Sequence, residues 1–433
     1  MAPSILTNVD VLINAVELNH RHGVGILINR IFTDSTKIIT LRTDNSYQGD
    51  SPFGIFDYVL GARGVNRSII KAKIEAVLAG YQVNHILCIP YYSEELLMAL
   101  AVQEITNAPI CTYLMDDRNV LVDGIPDEVM AELLQQSALR LGISPEMCDV
   151  YATKYNLPIH FAPPILPPEL VNTEISGLSQ DVLISQRGAM IGNVWSPIWL
   201  QLLREMTRKA GVQLDWYGNT GANWYIKNRS QLAIDGIIEK GFLPTEMEVA
   251  SVLRGYPYVV VPSGTLDARD DNLATSWLSL PSRIPFILAT SNTPIIVLGS
   301  RNTAAARFVE RLKIGIVADY DSESFRTAVA YITQPEIQIQ MRQNAASHAP
   351  LLINNRMDEW IWQSLEAGEP IDQRFAKLCS PSNYVRSFVT CLNSIKSDQA
   401  QLERSKSPLS ISKLYTKYRE YRNYFRKLWL GLN

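Results

Sequence analysis

The chain has 433 residues, of which 47% are hydrophobic and 19% charged, with a formal net charge of −3. That length exceeds one ordinary core and predicts two domains, and the near-balanced charge argues against a nucleic-acid partner. No apolar run approaches the roughly 18 residues of a membrane-spanning helix. The N-terminus, MAPSILTNVDVLINAV, lacks the basic start and cleavage site of a signal peptide. Five scattered cysteines (Cys88, Cys111, Cys148, Cys379, Cys391) show neither a CxxC nor zinc spacing. They predict reduced core residues in a cytoplasmic protein.

In chain order, residues 10–16 read as a buried strand, 25–32 as a helix, 37–41 as a strand and 69–79 as a helix. Residues 85–90 (HILCIP) form another buried strand. Residues 93–105 have helical periodicity, with Ser93 as N-cap and Glu94 and Glu95 in the first turn, where they suit the helix dipole. Strand 109–114 runs into Met115, Asp116 and Asp117, and a helix over 128–141 stops at Gly142. Pro163, Pro164, Pro167 and Pro168 then make a stiff, donor-poor stretch. It reads as a hinge (163–170) between an N-terminal domain (1–162) and a C-terminal domain (171–396). Beyond it, strands 188–192, 212–217, 258–261, 294–298 and 314–317 alternate with helices. These helices cover 197–209, 244–253, a short segment opened by Leu280-Pro281-Ser282, one from Ala304, and 322–332. Helices 337–346, 356–365 and 383–392 close the globular part. Alternation of this kind predicts an α/β fold of two Rossmann-like, doubly wound domains facing across a cleft.

Candidate site residues fall where the predicted strands end. Gly23 and Gly25 lie in a loop (17–25) that leads into a helix, beside His20 and His22. Glycines there let backbone approach an anion at a helix N-terminus. The spacing is not a dinucleotide fingerprint, since Ile28 stands where the third small residue belongs. Asp116 and Asp117, beside Arg118, suit deprotonation of an acceptor hydroxyl, or a helix cap and ion pair. The loop 262–272 offers Ser263, Asp267, Asp270 and Asp271. Ser282 and Arg283 supply a hydroxyl, an amide and a guanidinium for a diphosphate. Thr303 and Ala304 open a helix after the strand that stops at Gly299. Gly192, Asn193 and Gly218 are further strand ends on the same edge.

The run from Trp277 to Ala304 (Leu-Pro-Ser-Arg, short helix, Pro, Ile/Val-rich strand, glycine, polar turn, helix) resembles the nucleotide-binding half of GT-B glycosyltransferases, especially the large retaining superfamily. The resemblance implies two Rossmann-like domains with C-terminal helices. It implies sugar transfer from a nucleotide-diphosphate sugar to a hydroxyl of a glycan, glycolipid or protein, without a metal ion or other cofactor. Donor phosphates would meet Gly23, Gly25, Gly192, Asn193, Gly218, Ser263, Ser282, Arg283, Thr303 and Ala304. Asp116, Asp117, His22 and Asp267 would serve the chemistry. The chain departs from the pattern where the superfamily carries paired glutamates: Phe286 holds the second position, and only Asp267, Asp270 or Asp271 offers a substitute for the first. Asn193-Val194-Trp195 lacks the usual basic residue. The departures leave open a non-catalytic partner subunit with this fold, or a nucleotide-sugar epimerase. The tail (397–433) combines Arg404, Lys406, Lys413, Lys417, Arg419, Arg422, Arg426 and Lys427 with an aromatic stripe. It reads either as a peripheral membrane-surface helix or as one packed on the first domain.

Overall fold

The structure is a computed structural model that describes residues 7–379 except 52, 62, 63, 65, 176, 219–228, 268 and 269. The expected helix 383–392, Cys391 and the basic tail lie outside the described residues.

The first half runs β1 (Thr7–Asn14), α1 (Gly23–Ile31), β2 (Ile38–Arg42), β3 (Phe56–Val59), α2 (Arg67–Val77), β4 (Tyr81–Cys88), α3 (Ser93–Thr106), β5 (Ile110–Leu114), α4 (Asp127–Gln136), β6 (Ser137–Gly142), α5 (Pro145–Tyr155) and β7 (His160–Phe161). Its strands form one sheet in the order β3-β2-β1-β4-β5-β6-β7, with parallel pairings throughout. The second half runs α6 (Gln180–Ser185), β8 (Gly188–Ile191), α7 (Pro197–Ala210), β9 (Leu214–Tyr217), α8 (Ser230–Ile234), β10 (Ile237–Gly241), α9 (Glu246–Arg254), β11 (Val259–Pro262), α10 (Leu273–Leu278), α11 (Arg283–Thr290), β12 (Ile295–Leu298), α12 (Ala304–Leu312), β13 (Gly315–Ala318), α13 (Ser322–Ile332), α14 (Pro335–His348) and α15 (Met357–Ala367). Its sheet has the order β10-β9-β8-β11-β12-β13, again parallel.

Helices cover both faces of such sheets, so the central strands read as unbroken apolar runs. All five residues of β5 and all four of β12 are buried. Helix starts are fixed by local side chains: Ser144 accepts from the Met147 amide (2.9 Å), Ser196 from Trp199 (3.0 Å) and Thr303 from Ala306 (3.2 Å). In each sheet the winding reverses once, between β1 and β4 and between β8 and β11. Crevices outside the carboxyl ends of the strands at these points are where open α/β sheets receive ligands.

Several expectations are corrected. The helix foreseen over 128–141 is two elements: α4 stops at Gln136, and Ser137–Gly142 is β6, paired with β5. The Ser137 hydroxyl donates to Leu133 O (2.7 Å) and meets Thr112 on the neighbouring strand (2.7 Å), so the residue closes the helix and opens the strand. The cap of α3 is Tyr92 rather than Ser93, and Glu95 reaches back to the Tyr92 amide (2.6 Å). The proline stretch 163–168 is largely packed, with Ala162, Ile165 and Leu166 at most 1% exposed. Leu166 instead exchanges backbone bonds with Leu352 and Asn354 (2.8 and 2.7 Å). The chain passes between the halves twice, side by side, and α15 returns to pack against β5 and β6. There Trp362 stacks on His85 of β4, and His85 hydrogen-bonds Asp10 of β1 (2.8 Å). Residues 163–170 thus lie between the two sheets in the chain, and the last described helix packs on the first sheet. Among the described residues no helix is long and apolar enough to cross a membrane.

Candidate functional site

The loop between β1 and α1 is built around two polar side chains. Glu17, fully buried, accepts from the amides of Ser46 (2.7 Å), Tyr47 (3.0 Å) and Gly49 (2.7 Å). Burial pushes its carboxyl up, and these amides together hold it below the usual glutamate range. His22 caps α1: its Nδ1 accepts from the Gly25 amide (3.4 Å), and its Nε2 lies 2.6 Å from Glu17 O. Burial lowers its pKa, so the ring is neutral, with Nε2–H donating to that carbonyl. Both ring nitrogens are engaged and the ring stacks on Tyr47. His22, expected among the catalytic residues, is held within its own loop by these contacts. His20 is exposed.

The two glycines of this loop do different things. A Cβ on Gly25 would fall 2.0 Å from Asn19 O, so this glycine is required by the loop's own backbone. A Cβ on Gly23 would meet only Ser282 Oγ, at 3.8 Å. Gly23 thus opens α1 directly opposite the residue that precedes α11, and two helix N-termini converge across the cleft.

The paired aspartates separate in the same way. Asp117 is 3% exposed and accepts from the amides of Asn119 (3.1 Å), Val120 (2.8 Å) and Leu121 (2.7 Å) and from Tyr151 Oη (2.8 Å). These four bonds tie the carboxylate to its own loop and to α5. Asp116, at the end of β5, remains partly exposed and accepts from Tyr91 Oη (3.1 Å) and from Ser279 Oγ (3.0 Å), which belongs to the other half. Burial raises its pKa against the opposing pull of these two hydroxyls and Arg118. A carboxylate so placed suits proton abstraction. Arg118 donates to Tyr91 O (3.1 Å) and lies over the Tyr92 ring (5.2 Å).

On the second sheet, Arg283 donates to Ile191 O (2.8 Å) and Asn193 O (2.6 Å), clamping the turn after β8 around Gly192, whose φ is +71°. A Cβ on Gly218 would stand 2.9 Å from Gly192 O, so the ends of β8 and β9 pack directly. Ser263 is 3% exposed at the end of β11, and its carbonyl accepts from Tyr320 Oη (2.8 Å). Asp267 accepts from Thr265 (3.1 Å). Asp270 is buried against Trp199 Nε1 (3.1 Å) and the Leu266 amide (3.0 Å). Thr303 and Ala304 are fully buried and offer no side chain to a ligand, Thr303 being the cap of α12. Phe286 is 6% exposed and lies 5.9 Å under the Arg30 guanidinium. Among the described residues no group of three or more His, Cys, Asp or Glu side chains is placed to hold a metal ion.

Tyr91, Ser279, Glu17 and Glu95 act here through tertiary contacts that no local spacing announces. Glu95 is fully buried behind the β1–β4 crevice, and burial pushes its pKa up to about 7. Thr43 Oγ1 lies 2.9 Å from Ala15 O and 2.8 Å from Glu95 Oε1, with only one proton to give. A protonated Glu95 satisfies both bonds, donating to Thr43 while Thr43 donates to Ala15. Stability from this group is then fully present below the ordinary glutamate range and is lost as pH rises through about 7. Over that interval the loss is about 3 kcal/mol. Glu95→Gln keeps the neutral pattern, so the fall in urea midpoint from pH 5 to pH 8 should be smaller in the variant than in the wild type. Equal pH dependence in both proteins would refute the protonated state.

No protein-family model matches the chain, and no curated protein is similar to it in sequence. Three solved structures are similar to it in fold. HepE from Anabaena, solved in complex with UDP, has a TM-score of 0.58 at 13% identity, covering 83% of this chain and 100% of its own. The apo form of WaaB, a lipopolysaccharide outer core galactosyltransferase, gives 0.57 at 9% identity over 83% and 99%. WaaG, a glycosyltransferase involved in lipopolysaccharide biosynthesis, gives 0.51 at 10% identity over 83% and 99%. The chain therefore has the two-sheet GT-B fold.

Proposed function

We propose that the chain transfers a sugar from a nucleoside-diphosphate sugar to a hydroxyl of a glycan or glycolipid acceptor. One observation carries this reading. Asp116 at the end of β5 accepts from Ser279, just before α11, and Gly23 at the start of α1 lies opposite Ser282, so a strand end and two helix starts from the two halves meet in one place. The UDP bound to HepE, a protein of the same fold, supports a uridine diphosphate donor.

In this mechanism the donor diphosphate lies against the start of α11, where backbone amides and the Ser282 hydroxyl favour an anion. Arg283 holds the β8 turn in shape and adds positive charge beside the leaving group, so no metal ion is required. Contact between the halves excludes water and aligns the acceptor hydroxyl with the anomeric carbon. Asp116 takes the hydroxyl proton as the new glycosidic bond forms and the bond to the diphosphate oxygen breaks.

The test is Arg283→Ala titrated with UDP by calorimetry. Losing a charge-assisted donor that also shapes the β8 turn should weaken binding by about ten- to a hundredfold. The urea midpoint serves as the folding control. Unchanged affinity in a folded variant would remove the diphosphate from this position. A non-catalytic subunit is the second reading, favoured by the buried Phe286 where the retaining superfamily places a glutamate. It predicts nucleotide binding without turnover.

A further inference from the structure

We propose that Ser279 is a positioning residue that ties the contact between the two halves to the state of the Asp116 carboxylate. The inference rests on Asp116 being the base. Each oxygen of this carboxylate is held from a different half. Tyr91 Oη, from the loop after β4, reaches Oδ2 at 3.1 Å, and Ser279 Oγ, between α10 and α11, reaches Oδ1 at 3.0 Å. Ser279 is 5% exposed, and its amide is fixed on Thr275 O (3.2 Å), so the hydroxyl is presented by a rigid segment. The neighbouring carbonyl of Leu278 accepts from the Ser144 hydroxyl, which lies beyond the end of β6. Residues 278 and 279 therefore dock on the first sheet through two hydroxyl bonds running in opposite directions, one of them on the base itself.

Tyr91 belongs to the same half as Asp116, and Ser279 to the other. Tyr91, Arg118 and Asp117 face the carboxylate from its own side, while the segment joining α10 to α11 contributes the uncharged Ser279 hydroxyl. A hydroxyl donated to the ionised form favours ionisation. Within the contact, burial raises the Asp116 pKa and the Ser279 hydroxyl opposes that rise, keeping the carboxylate closer to its ionised, proton-accepting form than burial alone would leave it.

The experiment uses the full chain with aspartate labelled at the carboxyl carbon, the Asp116 resonance being assigned by its loss in Asp116→Asn. Its NMR titration midpoint is compared in the wild type, Ser279→Ala and Ser279→Thr. The midpoint should move to higher pH in Ser279→Ala and return toward the wild-type value in Ser279→Thr, which keeps the hydroxyl. In parallel, kcat/KM for UDP release from a UDP-sugar should fall about tenfold on the acidic limb in Ser279→Ala and much less on the plateau. A Ser279→Ala midpoint equal to wild type overturns the proposal, as does a lowered urea midpoint with an unmoved titration. Turnover that survives Asp116→Asn would instead overturn the base assignment, even with the Ser279-dependent midpoint shift intact.

Discussion

Asp116→Asn is expected to lower kcat for transfer by about 10²- to 10⁴-fold, the usual contribution of a positioned general base. Nucleoside-diphosphate binding should persist, because Asp116 sits at the end of β5 and not at the start of α11. The fold should persist too. Asparagine keeps one acceptor oxygen, and the hydroxyl of Tyr91 or Ser279 can turn to accept from the new amide. The wild-type rate should rise with pH along an acidic limb above the ordinary aspartate range, since burial raises the Asp116 pKa and only the ionised form takes a proton. The variant should lose that limb. Steady-state kinetics across pH, with the anomeric configuration of the product read by NMR, tests both points. A small loss of kcat with a retained anomer would assign the proton to the leaving diphosphate instead.

Gly25→Ala should be the most damaging single methyl in the loop. Its Cβ would lie 2.0 Å from Asn19 O and 2.7 Å from Asn19 N, both backbone atoms with no rotamer to yield. The Glu17, His22 and Asn19 bonds that shape the loop all depend on that packing. Overpacking against fixed backbone is expected to cost about 3 kcal/mol or more. Gly23→Ala, two residues earlier, meets only a side-chain oxygen at 3.8 Å and should change stability by less than about 0.5 kcal/mol. Urea unfolding of the two variants is the check. Equal midpoints would mean that the loop relaxes freely around residue 25.

The sequence carried the fold where its signal was continuous. The stretch from Leu280 to Thr303 was legible because a proline-opened helix, an apolar strand, a glycine and a capped helix follow without interruption. Strands β3, β7 and β10 were not, being short or at a sheet edge with little alternation to read. Residues 128–141 kept helical periodicity straight through Ser137, and only pairing with β5 turns the second part into a strand. The site divides along the same line. The positions of Gly23, Asp116 and Arg283 at a helix start or strand end were visible because such ends are marked locally. The backbone contacts of His22 and Asp117 were not, since a histidine or aspartate on a loop looks the same whether it meets a substrate or its own backbone. Ser279 lies inside the recognised motif, but its partner is 163 residues away in the chain.

The most direct test of a nucleotide-sugar cleft is calorimetric titration of the intact protein with UDP, GDP, ADP, CDP and dTDP. Saturable one-to-one binding with a clear preference for one base, UDP, is expected, accompanied by a raised unfolding temperature. No heat and no stabilisation with any of the five would contradict it and leave a GT-B fold whose cleft serves some other ligand.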